Sequence, residues 1–189
     1  MSDELILDLE TLTPIWTGDA FRKGDEIKSS GIMGSVRWWY ETINRGLGRK
    51  VCNSTSVFSS CKLNGEEFIK SILKGKLVDD VLNEQEICPA CKLFGCNDWS
   101  GKFRLIVEEY NDKGIDKFIS IANRRNNYKR KVEGKLFTKE KPLRLHFQAI
   151  KEMSYEEREL LKFTLNLIGE WAALGARTAQ GNGVVWSFI

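Results

Sequence analysis

The sequence predicts an α+β domain in which two helices cover one face of a four-stranded antiparallel sheet. Four segments alternate apolar and polar residues, as strands with one buried face do. Two other segments repeat apolar residues every three or four positions, which is typical of helices with one buried face. Their order along the chain is strand, helix, strand, strand, helix, strand, and this is the order of the ferredoxin-like fold.

The first half of the chain supplies one strand and one helix. The strand is predicted over residues 4–13, where apolar side chains alternate with other types: Leu5, Leu7 and Leu9. The helix is predicted to bury one face: Ile32, Val36, Trp39, Ile43 and Leu47. Its opposite face carries charges at intervals of four, which are predicted to pair in solvent: Arg37, Glu41 and Arg45.

The second half supplies three strands and the second helix. Strands are predicted over residues 102–109, 141–150 and 183–189. The helix opens at Ser154, which forms a capping box with Glu157. Its predicted buried face follows the helical spacing: Leu160, Phe163, Leu167, Trp171 and Leu174.

Two further segments lie outside this pattern. Residues from about 49 to 100 carry all the cysteines and are predicted to be an insertion. Residues from about 110 to 141 have little periodicity and form a hairpin or a flexible loop with a basic block: Arg124, Arg125, Lys129, Arg130 and Lys131. We therefore expect residues 1–189 to form a single domain with these two additions.

Composition excludes several classes of protein. At 42% hydrophobic residues the chain can bury a core, which excludes wholesale disorder. No stretch approaches the roughly 20 apolar residues of a membrane helix, and the acidic start is unlike a signal peptide, so a cytoplasmic protein without a membrane partner is expected. His146 is the single histidine, which excludes a mechanism with separate histidine acid and base.

The five cysteines favour metal binding or free thiols over disulfide bonds, because their number is odd and they lie close together in the sequence. The pair in Cys88-Pro89-Ala90-Cys91 has the spacing with which two thiolates hold zinc. Cys96 is the candidate third ligand and Cys61 or Cys52 the fourth, and the predicted set is Cys61, Cys88, Cys91 and Cys96. A structural zinc ion and unliganded, partly buried cysteines both remain open, and no other cofactor is predicted.

Two segments have the composition of a nucleic-acid site. The glycine-rich loop of residues 175–183 lets a backbone approach a phosphate closely, and Arg177 and Gln180 supply donors there, although a plain helix end and turn is the alternative. At the start of the first helix, Trp38 and Trp39 diverge by about 100°, so one of them is expected outside. An exposed tryptophan beside Arg37 can stack a base, or it can pack against another subunit.

These segments together resemble a known family. The matching motifs are Leu12–Gly18, Gly34–Glu41 followed by Gly46-Leu47-Gly48, Cys88–Cys96, and the closing glycine-rich loop. In this order they resemble the RAMP superfamily of CRISPR-associated proteins, and within it the first RAMP subunit of the Cmr, or type III-B, effector complex.

The resemblance implies a ferredoxin-like, RRM-like fold and a non-catalytic RNA-binding subunit near the 3′ end of the guide RNA, in defence against invading nucleic acid. The implied partners are CRISPR guide RNA, target RNA and other Cmr-type subunits. Matched by position, the candidate RNA contacts are Gly34, Ser35, Arg37, Arg177, Gln180, Gly181 and Gly183. Composition and charge add Trp38, Arg45 and the basic block.

One departure from the family pattern leaves questions of partnership and activity open. Members of this subunit family usually continue into a second ferredoxin-like half, so this chain is predicted to be a short member or one part of a divided protein with a separate second RAMP half. The sequence leaves two alternative functions open. The first is a metal-independent CRISPR RNA endoribonuclease with His146 or Tyr40 as general base. The second is an adaptor that binds only protein.

Overall fold

The structure is a computed structural model that describes residues 4–18, 26–53, 60–109, 115–116, 119–122 and 129–188. Its helices are α1 (Ser29–Gly46), α2 (Gly65–Leu73), α3 (Val78–Glu84), α4 (Pro89–Phe94) and α5 (Tyr155–Trp171). Its strands are β1 (Glu4–Thr11), β2 (Gly95–Cys96), β3 (Trp99–Ser100), β4 (Phe103–Glu109), β5 (Ile115–Asp116), β6 (Ile119–Ala122), β7 (Lys129–Val132), β8 (Lys135–Leu136), β9 (Leu143–Ala149) and β10 (Val185–Phe188).

The four long strands form one antiparallel sheet in the order β10-β1-β9-β4. Its register places Ile6 of β1 opposite His146 of β9, which in turn lies opposite Ile106 of β4. Helix α1 follows β1 and helix α5 follows β9, so the principal elements come in the predicted order. The result is a mixed helix and sheet structure built on an antiparallel sheet.

The core lies between one face of this sheet and the two long helices. Alternate strand residues are buried there, as the period of two predicts: Leu7, Leu9, Leu143, Leu145, Phe147 and Val185. The helices contribute buried aliphatic residues to the same cluster: Ile32 and Val36 from α1, and Leu161, Leu165 and Ile168 from α5. Among the described helices, none combines the length and the apolar character that a bilayer crossing needs.

The predicted buried faces of the two helices are partly wrong. On α1, Leu47 lies beyond the end of the helix and is 58% exposed, while Tyr40 is buried. On α5, Phe163 is 54% exposed and Trp171 is 83% exposed, although both fit the helical spacing. The buried stripe is rotated because α5 approaches β10 at Gly169, where a Cβ atom would lie 2.3 Å from the Ser187 hydroxyl oxygen. Helical spacing alone does not reveal so close an approach. The predicted capping box of Ser154 and Glu157 is confirmed.

The cysteine-bearing segment consists of α2, α3, α4 and the short β2–β3 pair. Lys102, whose side chain is only 2% exposed, links this segment to α5. Its ammonium group donates to Asp79 of α3 at 2.7 Å and to Glu157 of α5 at 2.9 Å. Burial alone lowers the pKa of Lys102, but the two carboxylates raise it above its usual value, so the group stays charged.

The basic segment is described only in part. Strands β6 and β7 pair antiparallel, and β5 pairs with β8. Lys129, Arg130 and Lys131 belong to β7. Arg124 and Arg125 lie outside the described residues.

We predict that Lys102→Met destabilises the protein by about 2 kcal/mol, because the substitution leaves the nearly buried Glu157 carboxylate without its cation. Urea denaturation followed by circular dichroism measures the change. Lys162→Met is the matched control, since Lys162 pairs with Glu159 in an exposed position and its loss should change stability by less than about 0.5 kcal/mol. Equal effects of the two substitutions would contradict the assigned role of Lys102.

Candidate nucleic-acid interface

A groove of about 480 Å³ runs between the start of α1 and the glycine-rich loop of residues 175–183. It brings together the two segments whose composition predicts RNA contact. Among the described residues that line it, none is acidic: Gly31, Gly34, Ser35, Trp38, Trp39, Ala173, Gly175 and Thr178. The amino end of α1, which carries the partial positive charge of the helix dipole, lies at one side of the groove.

The glycine-rich loop has a backbone that only its glycines permit. Gly183 has a φ of +77°, and a Cβ atom there would lie 1.8 Å from the carbonyl oxygen of Leu174. Gly175 has a φ of +86°, and its Cβ atom would lie 2.7 Å from the carbonyl oxygen of Trp16. The backbone of the loop therefore requires glycine at these two positions. A plain helix end followed by a turn, which the composition also allows, would require glycine at only one.

The segment of residues 12–18 is hydrogen-bonded to this loop. The backbone N–H of Gly183 donates to the Pro14 carbonyl at 2.9 Å, and that of Ala176 donates to the Trp16 carbonyl at 2.8 Å. The buried Asn182 side chain also donates to the Pro14 carbonyl at 3.0 Å. The sequence motif Leu12–Gly18 thus serves to hold the loop, a role that the residues alone did not reveal.

Arg177 is held at the surface of the loop by an aromatic ring. Its backbone is left-handed, with a φ of +59°, and its guanidinium carbon lies 3.8 Å from the centre of the Trp16 ring. Stacking on a ring leaves the N–H groups of the guanidinium available at its edge. Gln180 of the same loop is exposed. Trp16 lies in the motif Leu12–Gly18, but sequence reasoning assigns it no role, because a single tryptophan in a loop carries no periodic signal.

At the start of α1 the two tryptophans point in different directions, as predicted. Trp38 is 55% exposed and lines the groove. Trp39 is turned inward, where its indole N–H donates to the Ala173 carbonyl at 3.3 Å. The two rings meet edge to face with their centres 4.8 Å apart, which fixes the orientation of Trp38. Gly34, one turn earlier, opens onto free space, with no atom within 4 Å of a Cβ position.

Arg37 has a different environment from the one that the sequence predicts. Its guanidinium donates to the Glu41 carboxylate at 2.8 Å, to the Gly95 carbonyl at 2.9 Å and to the Cys91 sulfur at 3.2 Å. Glu41 is only 4% exposed, so the predicted solvent-exposed stripe of ion pairs is wrong for this carboxylate. A spacing of four residues places side chains on one face, but it does not show whether another segment covers that face.

Arg45 also contacts Glu41 and the cysteine-bearing segment. It donates to Glu41 at 3.2 Å and to the Cys52 carbonyl at 3.1 Å. Burial alone lowers the pKa of Arg37, but Glu41 and the Cys91 sulfur raise it above its usual value, so its positive charge is retained. Neither arginine lines the groove. Their RNA-binding role stays a prediction.

Four thiols gather beside these arginines. The sulfur atoms of Cys52, Cys61, Cys88 and Cys91 all lie within 4.8 Å of one another, and we call these four residues the cysteine cluster. The set differs from the predicted ligands in containing Cys52 in place of Cys96. Cys96 lies in β2, where its sulfur is 3.7 Å from the Asn97 carbonyl oxygen.

The thiols of the cysteine cluster compete for negative charge. A hydrogen bond from the Cys91 thiol lowers the pKa of Cys88 to about 4. The same hydrogen bond raises the pKa of Cys91, and burial raises the pKa of Cys61 to about 12. One thiolate is thus favoured and further ones are opposed, as expected for ionisable groups packed so closely.

The two candidate general bases lie away from the groove and from each other. Tyr40 is buried on α1, and burial raises its pKa well above the usual range, which makes the phenolate hard to form. His146 lies in β9, and its ring Nε2 is 3.3 Å from a carboxylate oxygen of Glu4. Neither residue lines the groove.

Comparison with known proteins agrees with the resemblance that the motifs indicate. The chain is 23% identical to the CRISPR system Cmr subunit Cmr1-2 of Pyrococcus furiosus over 133 residues. The alignment covers 68% of this chain and 64% of that subunit, so the chain matches less than two thirds of the length of this relative.

A solved structure of low sequence identity shares the fold. A chain of a type IV-B CRISPR complex superposes with a TM-score of 0.56 and 17% identity, over 98% of this chain and 89% of that one. The crystal structure of Cmr1 from Pyrococcus furiosus gives a TM-score of 0.49 and 12% identity, over 98% of this chain and 49% of that one. The family profile of the RAMP superfamily matches residues 8–186. Because this match runs over most of the chain, the protein belongs to the RAMP superfamily.

Proposed function

We propose that this protein is a non-catalytic RNA-binding subunit of a CRISPR RNA-guided effector complex of the type III-B, or Cmr, kind, and that it lies near the 3′ end of the guide RNA. The observation that carries the proposal is the groove between the start of α1 and the glycine-rich loop. Similarity to a Cmr1 subunit supports the kind of complex.

The chemistry of the groove suits the backbone of a single-stranded RNA. Close approach to a phosphate or a ribose needs small residues, and Gly31, Gly34 and Gly175 provide them. Arg177 and Gln180 lie in the loop, next to and two residues from the groove-lining Thr178, and we propose that they supply donors to the RNA. The exposed face of Trp38 is the proposed platform for one base. Backbone contact and stacking are both tolerant of sequence, which fits a protein that leaves sequence recognition to base pairing.

We further infer that the domain is ferredoxin-like, with the cysteine-bearing segment inserted between its first helix and second long strand. The sheet order β10-β1-β9-β4 supports this inference, because it places the fourth and first strands side by side and the third between the first and the second. In this arrangement Gly175, at the amino end of the glycine-rich loop, lies beside the start of α1.

We propose that the subunit contacts other Cmr-type subunits, a second RAMP half among them. Large apolar side chains at the surface support protein contact, since monomeric proteins bury most side chains of this size. The exposed aromatic side chains of this kind in the described second half of the chain are Tyr155, Phe163, Trp171 and Trp186.

The nuclease alternative receives less support from the geometry. Cleavage by 2′-hydroxyl attack needs a base near the scissile phosphate and a group that stabilises the pentacoordinate phosphorus. Tyr40 is buried in the core, and His146 lies beside Glu4, so neither reaches the groove in which the phosphates are proposed to lie. A non-catalytic subunit is the proposal that fits these positions.

We predict that Gly34→Leu weakens binding of a short labelled oligouridine about tenfold, because the new side chain fills the groove beside Trp38. The same substitution should raise the free energy of unfolding by about 0.5–1 kcal/mol, since glycine disfavours a helix interior. Fluorescence anisotropy and urea denaturation measure the two effects.

Gly46→Leu is the matched control for this prediction. Gly46 also lies in α1 and also has no atom within 4 Å of its Cβ position, but it is at the other end of the helix. Gly46→Leu should leave the affinity for oligouridine unchanged. Loss of RNA affinity in both variants, or in neither, would contradict the placement of RNA in the groove.

We predict that Arg177→Gln lowers the affinity for oligouridine about tenfold and lowers the slope of log K against log salt by about 0.7, the value for one phosphate contact on a single strand. Titrations at several salt concentrations measure the slope. Arg104→Gln is the control, since Arg104 is exposed on β4 and outside the groove.

An affinity that does not depend on salt would remove the phosphate contact from the proposal. Absence of any RNA binding by the wild-type protein at low salt would favour the adaptor that binds only protein.

A further inference from the structure

The cysteine cluster has no part in the groove, yet it is the most unusual group of side chains in the described part of the chain. We propose that Cys52, Cys61, Cys88 and Cys91 bind one zinc ion, and that Arg37 is a positioning residue which holds the sulfur of Cys91. The ion would be structural, and the ligand set contains Cys52 and leaves out Cys96.

The distances between the sulfur atoms fit one tetrahedral ion. A Zn–S bond of about 2.3 Å places the ligands of a tetrahedral site about 3.8 Å apart. The Cys52 sulfur is 3.4 Å from that of Cys91 and 3.7 Å from that of Cys88. All four sulfur atoms lie within 4.8 Å of one another, so small side-chain rotations complete the geometry. Four protein ligands leave no open position, which is the arrangement of a structural and not a catalytic site.

The hydrogen bonds around the sulfur atoms are those that thiolate ligands accept. The backbone N–H of Cys88 donates to the Cys61 sulfur at 3.4 Å. The Arg37 guanidinium donates to the Cys91 sulfur at 3.2 Å, and its other N–H groups are fixed by Glu41 and the Gly95 carbonyl. Such outer contacts orient metal ligands and are important for affinity.

The positive charge beside the cysteine cluster also suits a zinc ion with four thiolate ligands. A zinc ion with four thiolates carries a net charge of −2, which is costly in a partly buried site without nearby cations. Arg37 contacts the cluster directly, and Arg45 donates to the Cys52 carbonyl. Glu41 lies between the two arginines and accepts from both, so it fixes their positions.

The ion would secure the two ends of the α2–α3 hairpin. Cys61 precedes the α2–α3 hairpin and Cys88 follows it, while Cys52 comes shortly after α1. Helix α2, all of whose residues are described, has no buried side chain. A zinc ion at the base of the hairpin therefore joins its two ends to each other and to α1.

The first test is the metal content of the purified full-length protein, measured by mass spectrometry of the elements. The proposal predicts about one zinc per chain in the wild type and in Cys96→Ser, and loss of zinc in Cys52→Ser and Cys88→Ser. Because a ligand variant can fail to fold, the wild type is also tested alone. In the zinc-bound protein a thiol reagent should rapidly modify only Cys96, which is not a proposed ligand. All five cysteines should react only after a chelator has removed the zinc.

The second test concerns Arg37. Arg37→Gln should weaken zinc binding about 10–100-fold in competition with a chelator, the usual effect of removing an outer contact, and should shift the sulfur-to-metal absorption of the cobalt-substituted protein. Arg104→Gln is the matched control and should change neither.

Three results would overturn the proposal. Less than a tenth of an equivalent of zinc in the wild type, or iron in its place, would remove the zinc site. Loss of zinc in Cys96→Ser with full retention in Cys52→Ser would refute the ligand set. An unchanged affinity and absorption spectrum in Arg37→Gln would remove the role of that residue.

Discussion

The path of the glycine-rich loop is the constraint on which the groove depends. At Gly183 the backbone passes so close to the Leu174 carbonyl that a side chain would overlap it. This approach lets the Gly183 N–H reach the Pro14 carbonyl and the Leu174 N–H reach the Gly183 carbonyl. These bonds join the end of α5, the segment after β1 and the start of β10, and they bring the loop beside α1.

Helix α1 connects the two sites that the structure describes. One side of it, with Gly34 and Trp38, lines the groove. Another side, with Arg37 and Glu41, faces the cysteine cluster. The same helix thus lines the groove in which RNA is proposed to bind, and on its other side it is held by hydrogen bonds from Arg37 to Glu41, Gly95 and Cys91. A well-positioned α1 is what a groove formed between two elements requires.

Much of the fold could be predicted from the sequence, and the reasons for the failures are physical. Alternation in the strands and the capping box at Ser154 are local signals, and both were sufficient. The buried face of α5 was misjudged because Gly169 allows an approach that spacing does not record. Two contacts of the site join residues that are far apart in the sequence. Arg37 donates to the Cys91 sulfur, and Trp16 stacks on Arg177. Such pairings depend on the tertiary structure and leave no periodic pattern.

The central claim is that RNA lies in the groove between α1 and the glycine-rich loop. Ultraviolet cross-linking of the full-length protein to oligouridine, followed by mass spectrometry of the peptides, tests it most directly, because it locates the RNA without any substitution. We expect cross-links at Trp38 and within residues 175–183. Cross-links confined to the opposite, outer face of the sheet, around His146 and Arg104, would contradict it.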